Sequence, residues 1–180
     1  ICWLKTATLK YEKITFMYPS DWTLDLNEFP ATPNSCTVYP GYDSATITSP
    51  DGAKVNMLTG FNCKGDAGSE SKESTTISTL GQKLYLTFMF NDTFEGARIG
   101  SEFACLTKNT TANSLLALNT KNTFLDSSNK QSSPAGYCFY PSGYNPSIDP
   151  YSSTYTLTSD QIKASSDYKN AQLIFESMTY

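Results

Sequence analysis

The chain has 180 residues, with 13 Lys plus Arg against 17 Asp plus Glu, no His and a net charge of −4; Ser and Thr together make up 45 positions. Only one of the cations is arginine, Arg98, so there is too little positive charge to neutralise a run of phosphates, and a nucleic-acid binder resting on a basic face is excluded. The absence of histidine also excludes Ser-His and Cys-His dyads and the commonest metal ligand.

In chain order, alternation of period two dominates. Tyr11 to Tyr18 places Ile14, Phe16 and Tyr18 on one face of a strand that Pro19 ends, because proline cannot donate to a ladder. Ser44 to Ser49 and Ala53 to Phe61 alternate on either side of Pro50-Asp51-Gly52. Asp-Gly between two such runs predicts a hairpin with a type I′ turn. Lys64 to Lys72 reads as a polar loop, and Ser74 to Leu80 with Lys83 to Asn91 as a second strand pair around Gly81. In that pair Leu84, Leu86, Phe88 and Phe90 share a face, which predicts a central strand. Ala97 to Lys108 and Ser114 to Thr123 read as further strands, and Asp126 to Ser133 as a polar loop. Residues 137–155, with three prolines and many tyrosines, read as a turn-rich stretch. A short turn is expected at Ser159-Asp-Gln-Ile-Lys163. A helix over Tyr168 to Ser177, capped by Ser166-Asp167, would align Tyr168, Ala171, Phe175 and Met178 in one apolar stripe for the sheet.

The cysteines are Cys2, Cys36, Cys63, Cys105 and Cys138. With no C-x-x-C and no histidine they suit neither a zinc ribbon nor a thiol catalyst. Wide spacing in a hydroxyl-rich, weakly charged chain favours export to an oxidising compartment. Five cysteines allow fifteen ways of making two bridges. The expectation adopted is Cys36 with Cys63 and Cys105 with Cys138, leaving Cys2 free or committed to a segment before Ile1. The longest apolar run, Leu84 to Phe90, is far shorter than the roughly 20 residues of a spanning helix.

Three features together resemble the PsbP-like proteins, named for an extrinsic protein of the photosynthetic oxygen-evolving complex. They are the corner Phe16-Met-Tyr-Pro-Ser-Asp-Trp22, the hairpin opening Thr46-Ile-Thr-Ser-Pro-Asp-Gly-Ala53, and Ala171-Gln-Leu-Ile-Phe-Glu-Ser177 ahead of a last short strand. The likeness spans residues 11–62 and 155–180. It implies an antiparallel sheet flanked by helices and a binding or assembly role rather than catalysis; relatives include bacterial surface lipoproteins with a short membrane anchor. No catalytic residue carries over. In the corner, Tyr18 and Trp22 flank Pro19 as large apolar bodies with polar tips that anchor the first strand.

Chemistry-bearing motifs give little. Ser-x-x-Lys occurs at Ser69–Lys72 and Ser127–Lys130, in segments read as polar loops without a helix start to desolvate the lysine. The nearest carboxylate pairs, Asp21/Asp25 and Glu70/Glu73, read as solvated charge. Asn145 and Asp149 offer two oxygens where calcium needs six to eight. No metal site or cofactor is expected.

The tyrosine-rich stretch is the candidate recognition surface, with Tyr140, Tyr144, Tyr151 and Tyr155 offering amphipathic area at low entropic cost. The sequence thus reads as an α+β domain over residues 1–180, a twisted, mostly antiparallel sheet flanked by a C-terminal helix. Residues 1–10 are expected to serve as a tether to a missing N-terminal anchor, which would be the only link to a membrane. The expected function is a non-catalytic cell-surface or periplasmic domain that binds a protein partner or assists assembly. The alternatives are the globular head of a pilin-like subunit and a wall- or glycan-acting hydrolase.

Overall fold

The computed structural model describes residues 4–30, 41–58, 69–91, 102–107, 136–144 and 157–180. Nine strands and two helices lie among them: β1 Leu4–Thr8, β2 Thr15–Pro19, β3 Thr23–Pro30, β4 Gly41–Thr48, β5 Lys54–Leu58, β6 Ser69–Thr79, β7 Gln82–Asn91, β8 Phe103–Thr107, β9 Tyr137–Tyr140, α1 Ser159–Ala164 and α2 Ser166–Glu176. All strand pairing is antiparallel. β1 and β2 form a two-stranded sheet, and the other seven form one sheet in the order β3-β4-β5-β9-β8-β7-β6. The large sheet is therefore two meanders, β3-β4-β5 and β6-β7-β8-β9, that meet along the β5–β9 seam.

Period-two alternation decides which residues enter the core. Ala45, Ile47, Val55, Met57, Leu84, Leu86, Phe88, Ala104, Leu106, Tyr137 and Phe139 share the face that receives Tyr168, Ala171, Ile174 and Phe175 of α2 and Ile162 of α1. Phe16, Trp22, Phe88, Phe139 and Phe175 are among the largest fully buried side chains; each contributes about 1.5–3 kcal/mol through burial. The expected stripe on the helix is present, with Tyr168, Ala171, Phe175 and Met178 all buried. Tyr168 meets Phe88 and Phe139 at ring distances of 5.4 and 5.9 Å.

Helix α1 starts at Ser159 as expected, whereas α2 starts at Ser166, two residues before the expected Tyr168. Ser165, not Ser166 or Asp167, caps α2 by accepting the Tyr168 N–H at 3.1 Å, and its own hydroxyl donates to Ile162 O at 2.7 Å. One serine thus closes α1 and opens α2. Thr158 and Gln161 form a capping box ahead of α1.

The corner residues lie where β2 hands over to β3. Tyr18, Pro19 and Trp22 are buried, and the Trp22 N–H donates to Pro19 O at 3.0 Å. Strand β1 begins at Leu4, inside the segment read as a tether, and pairs in register with β2 from Leu4↔Pro19 to Thr8↔Thr15. Its threonines and alternating pattern suit a strand as soon as β2 is there to pair with. The β1–β2 connection is held by Asp43 of β4, fully buried, whose carboxylate accepts the backbone N–H groups of Lys10, Tyr11 and Glu12 at 3.0, 2.7 and 3.1 Å. The last residues close on the same hairpin. Thr15 and Thr179 exchange backbone hydrogen bonds at 2.8 and 2.9 Å as an isolated bridge, not the short final strand expected.

Three further expectations are corrected. The Pro50-Asp51-Gly52 hairpin forms, but not with a type I′ turn: Ser49 N–H donates to Ala53 O at 2.8 Å, Gly52 N–H to Ser49 O at 3.0 Å, and only Gly52 has positive φ, 93°. A two-residue turn would require Pro50 to donate a ladder bond that it lacks, so pairing moves out to Ser49. The two-residue turn with positive φ at both positions is instead Leu80-Gly81, at 53° and 70°; Leu80 is held there by burial and by its N–H donating to Met178 O at 3.1 Å. Strand β6 starts at Ser69, within the expected polar loop 64–72, because an edge strand tolerates charged residues that a central one would not.

The third correction is the largest. Tyr137–Tyr140, the start of the expected turn-rich stretch, is β9, the middle strand of the seven. Tyr-Cys-Phe-Tyr has high strand propensity, and the prolines act only from Pro141 onward. The proposed strand over 114–123 and the loop 126–133 lie outside the described residues.

Candidate recognition site

The face of the large sheet opposite α2 carries a second, smaller cluster: Phe103, Cys105 and Cys138, with Tyr140 and Tyr144 packed against them. No described helix residue belongs to it. Its centre is the Cys105–Cys138 disulfide, which joins directly opposed residues of β8 and β9. Those strands pair at only two positions, Ala104↔Phe139 and Cys105↔Cys138, so the covalent link secures a short ladder across a sequence separation of 33. Cys2, Cys36 and Cys63 lie outside the described residues.

Tyr140 stacks on Phe103 at 5.3 Å and 19°, while Tyr144 meets Phe103 edge-on at 5.8 Å and leans over Tyr140 at 4.8 Å. A turn positions Tyr144: its N–H donates to Pro141 O at 3.0 Å, and Gly143 supplies the positive φ of 77° that this turn requires. The β4–β5 turn lies alongside, and the two are tied by Ser142 Oγ donating to Asp51 O.

Between these turns opens a recess of about 470 Å³, lined by Gly52, Lys54, Asn56, Tyr140, Pro141, Gly143 and Tyr144. It falls within the range of small-ligand sites. Lys54 and Asn56 reach it as alternate residues on the outward face of β5, opposite Tyr140 and Cys138 of β9. Lys54 is exposed and is the one charged side chain of the described lining. Asn56 Oδ1 is buried with no hydrogen-bond partner among the described residues. Burial, with a smaller effect from Tyr144, pushes the Tyr140 phenol up to about 12, so its hydroxyl stays protonated and able to donate at neutral pH. Asp51, although on the neighbouring turn, acts electrostatically on the other face: with Asp21 it adds to the burial that raises the Asp167 carboxyl, against the bond from Ser49 Oγ.

Of the four tyrosines expected to form a recognition surface, Tyr140 and Tyr144 are thus brought together, and Tyr151 and Tyr155 lie outside the described residues. Tyr137, from the same stretch, is core: its hydroxyl faces the α2 side, where burial first and then Glu12, Tyr180 and Asp43 hold it well above its ordinary range. Lys54, Asn56 and Phe103 were not singled out from sequence. Only the outward phase of Lys54 and Asn56 in β5 hinted at them.

The other candidates are dispersed. Asp21 and Asp25 are exposed, and Glu73 pairs with Lys163 at 2.8 Å beside Phe88. Ser69 and Lys72 are in β6 rather than a loop, while Ser127, Lys130, Asn145 and Asp149 lie outside the described residues. Among the described residues no group of three or more His, Cys, Asp or Glu is placed to hold a metal, and no helix is long and apolar enough to cross a membrane.

Comparison with protein-family models, curated proteins and solved structures finds no match to this chain. The fold established is β-rich α+β, with antiparallel sheets and a C-terminal helix.

Proposed function

We propose that this protein is a non-catalytic binding domain of the cell envelope whose recognition site is the Tyr140–Tyr144 recess. The observation that carries this reading is the composition of the recess: two tyrosine rings, a lysine and an unsatisfied buried amide oxygen converge between two glycine-bearing turns. Such convergence is characteristic of ligand sites, whereas a purely structural pocket would have its polar atoms paired. Among the described lining residues none pairs a nucleophile with an activating base, and what they offer is ring faces and hydrogen-bonding groups suited to binding. The Cys105–Cys138 link supports export, since such bonds persist in oxidising compartments. The corner at Tyr18, Pro19 and Trp22, joined to an antiparallel sheet with a C-terminal helix, supports a PsbP-like arrangement.

The test is capture of partners from the envelope fraction of the native host by the immobilised chain. The wild type retains a specific component, and Tyr144→Ala and Asn56→Leu release it. Equal capture by all three would sink the proposal. Alkylation of native protein without reductant should leave Cys105 and Cys138 unlabelled; labelling of both would contradict export.

A further inference from the structure

The side chains lining the recess also point to the class of ligand. We infer, building on the binding role proposed above, that the recess takes a carboxylated sugar unit, of the uronic or sialic acid class, from an envelope or surface polysaccharide. Three features converge on that chemistry. Tyr140 and Tyr144, their rings 4.8 Å apart and tilted at 54°, both line the recess, and an aromatic face, negative at its centre, attracts the weakly positive C–H groups on one side of a pyranose. Asn56 Oδ1 is an acceptor in want of a donor, which a sugar hydroxyl supplies; leaving it unpaired would carry the cost of a buried orphan. Lys54 is the only charged group of the described lining, and a carboxylate is its natural complement.

Spacing supports one ring meeting both polar groups. Lys54 and Asn56 are two residues apart on one strand, about 7 Å along it, a span that a single sugar covers with a carboxylate at one end and hydroxyls at the other. The protein's overall charge of −4 does not oppose this, because exposed charges beyond roughly 8 Å are screened at physiological salt. The nearest acid in sequence, Asp51, is not among the described residues that line the recess.

The experiment titrates the full, oxidised chain with trigalacturonate, sialyllactose and uncharged lactose by calorimetry, with thermal unfolding to confirm that each variant folds. At least one acidic sugar should bind about tenfold or more tighter than lactose, a preference that shrinks with added salt and disappears in Lys54→Met. Asn56→Leu should weaken all three sugars. No acidic preference, or one untouched by Lys54→Met, overturns the inference. A second arm separates this failure from failure of the binding role. Periodate treatment of the envelope fraction, which cleaves vicinal diols, should abolish Tyr144-dependent capture, while protease digestion should spare it. The reverse pattern identifies a protein partner and overturns the sugar assignment while leaving the recess as a binding site. Loss of Tyr144 dependence altogether overturns both.

Discussion

The two faces of the seven-stranded sheet are built by opposite means. On the face beneath α2, side chains from β4, β5, β7, β8 and β9 interlock with Tyr168, Ala171, Ile174 and Phe175, and nearly every member is fully buried. On the other face, order depends on specific links: a disulfide, three aromatic rings and the hydroxyl contacts Ser74–Thr87 and Thr87–Thr107 at 2.9 and 2.7 Å. The first face holds the fold through volume and area. The second leaves Asn56 Oδ1 without a partner among the described residues, beside aromatic rings, the condition for recognising something else.

The sharpest way to break this comparison is to open a hole in the first face. Phe139→Ala removes a ring with no exposed area at the centre of the sheet and should cost about 3–5 kcal/mol, read as a lowered urea midpoint. Next in size is the disulfide. Replacing Cys105 and Cys138 together with Ala should cost about 3 kcal/mol, since the unfolded chain regains the freedom of the long loop they close, and it should also impair binding by loosening the seam under Tyr140.

A pH series tests both faces at once. Tyr140 and Tyr168 are each pushed up to about 12, chiefly by burial. Between pH 10 and 12 the unfolded chain releases protons that the folded chain keeps, so stability falls as pH rises through that window. Tyr140 should account for about 2 kcal/mol of the fall. The contribution is fully present below pH 10, and Tyr140→Phe should flatten the curve there. Smaller still is Ser165→Ala, which removes the α2 cap and should cost about 1 kcal/mol by thermal unfolding, with binding at the recess unchanged.

The two faces also differed in how far the sequence revealed them. Helix-side positions were readable because their burial follows from period alone: Ile14 just ahead of β2, Phe16 and Tyr18 within it, Leu84, Leu86 and Phe88 in β7, and the stripe of α2 need no knowledge of strand order. The recess required that knowledge. Lys54 and Asn56 were visibly outward, but what they face depends on β5 pairing with β9, some 80 positions away in the chain, and non-local pairing leaves no local periodicity to read. Tyr137–Tyr140 was obscured by the prolines that follow it, so Tyr140 and Tyr144 were noticed for composition, not position. The Asp-Gly turn misled for a similar reason: the dipeptide favours a two-residue turn, and the proline before it forbids the hydrogen bond that turn needs.

The division of labour between the faces is tested most directly by Tyr144→Ala, with thermal unfolding and envelope capture measured on the same preparation. Tyr144 packs against the small cluster and lines the recess but does not belong to the main core. The expected result is a melting temperature within about 2 °C of wild type, corresponding to about 1 kcal/mol or less, together with loss of capture. Undiminished capture, or a fall in melting temperature as large as that of Phe139→Ala, would contradict it.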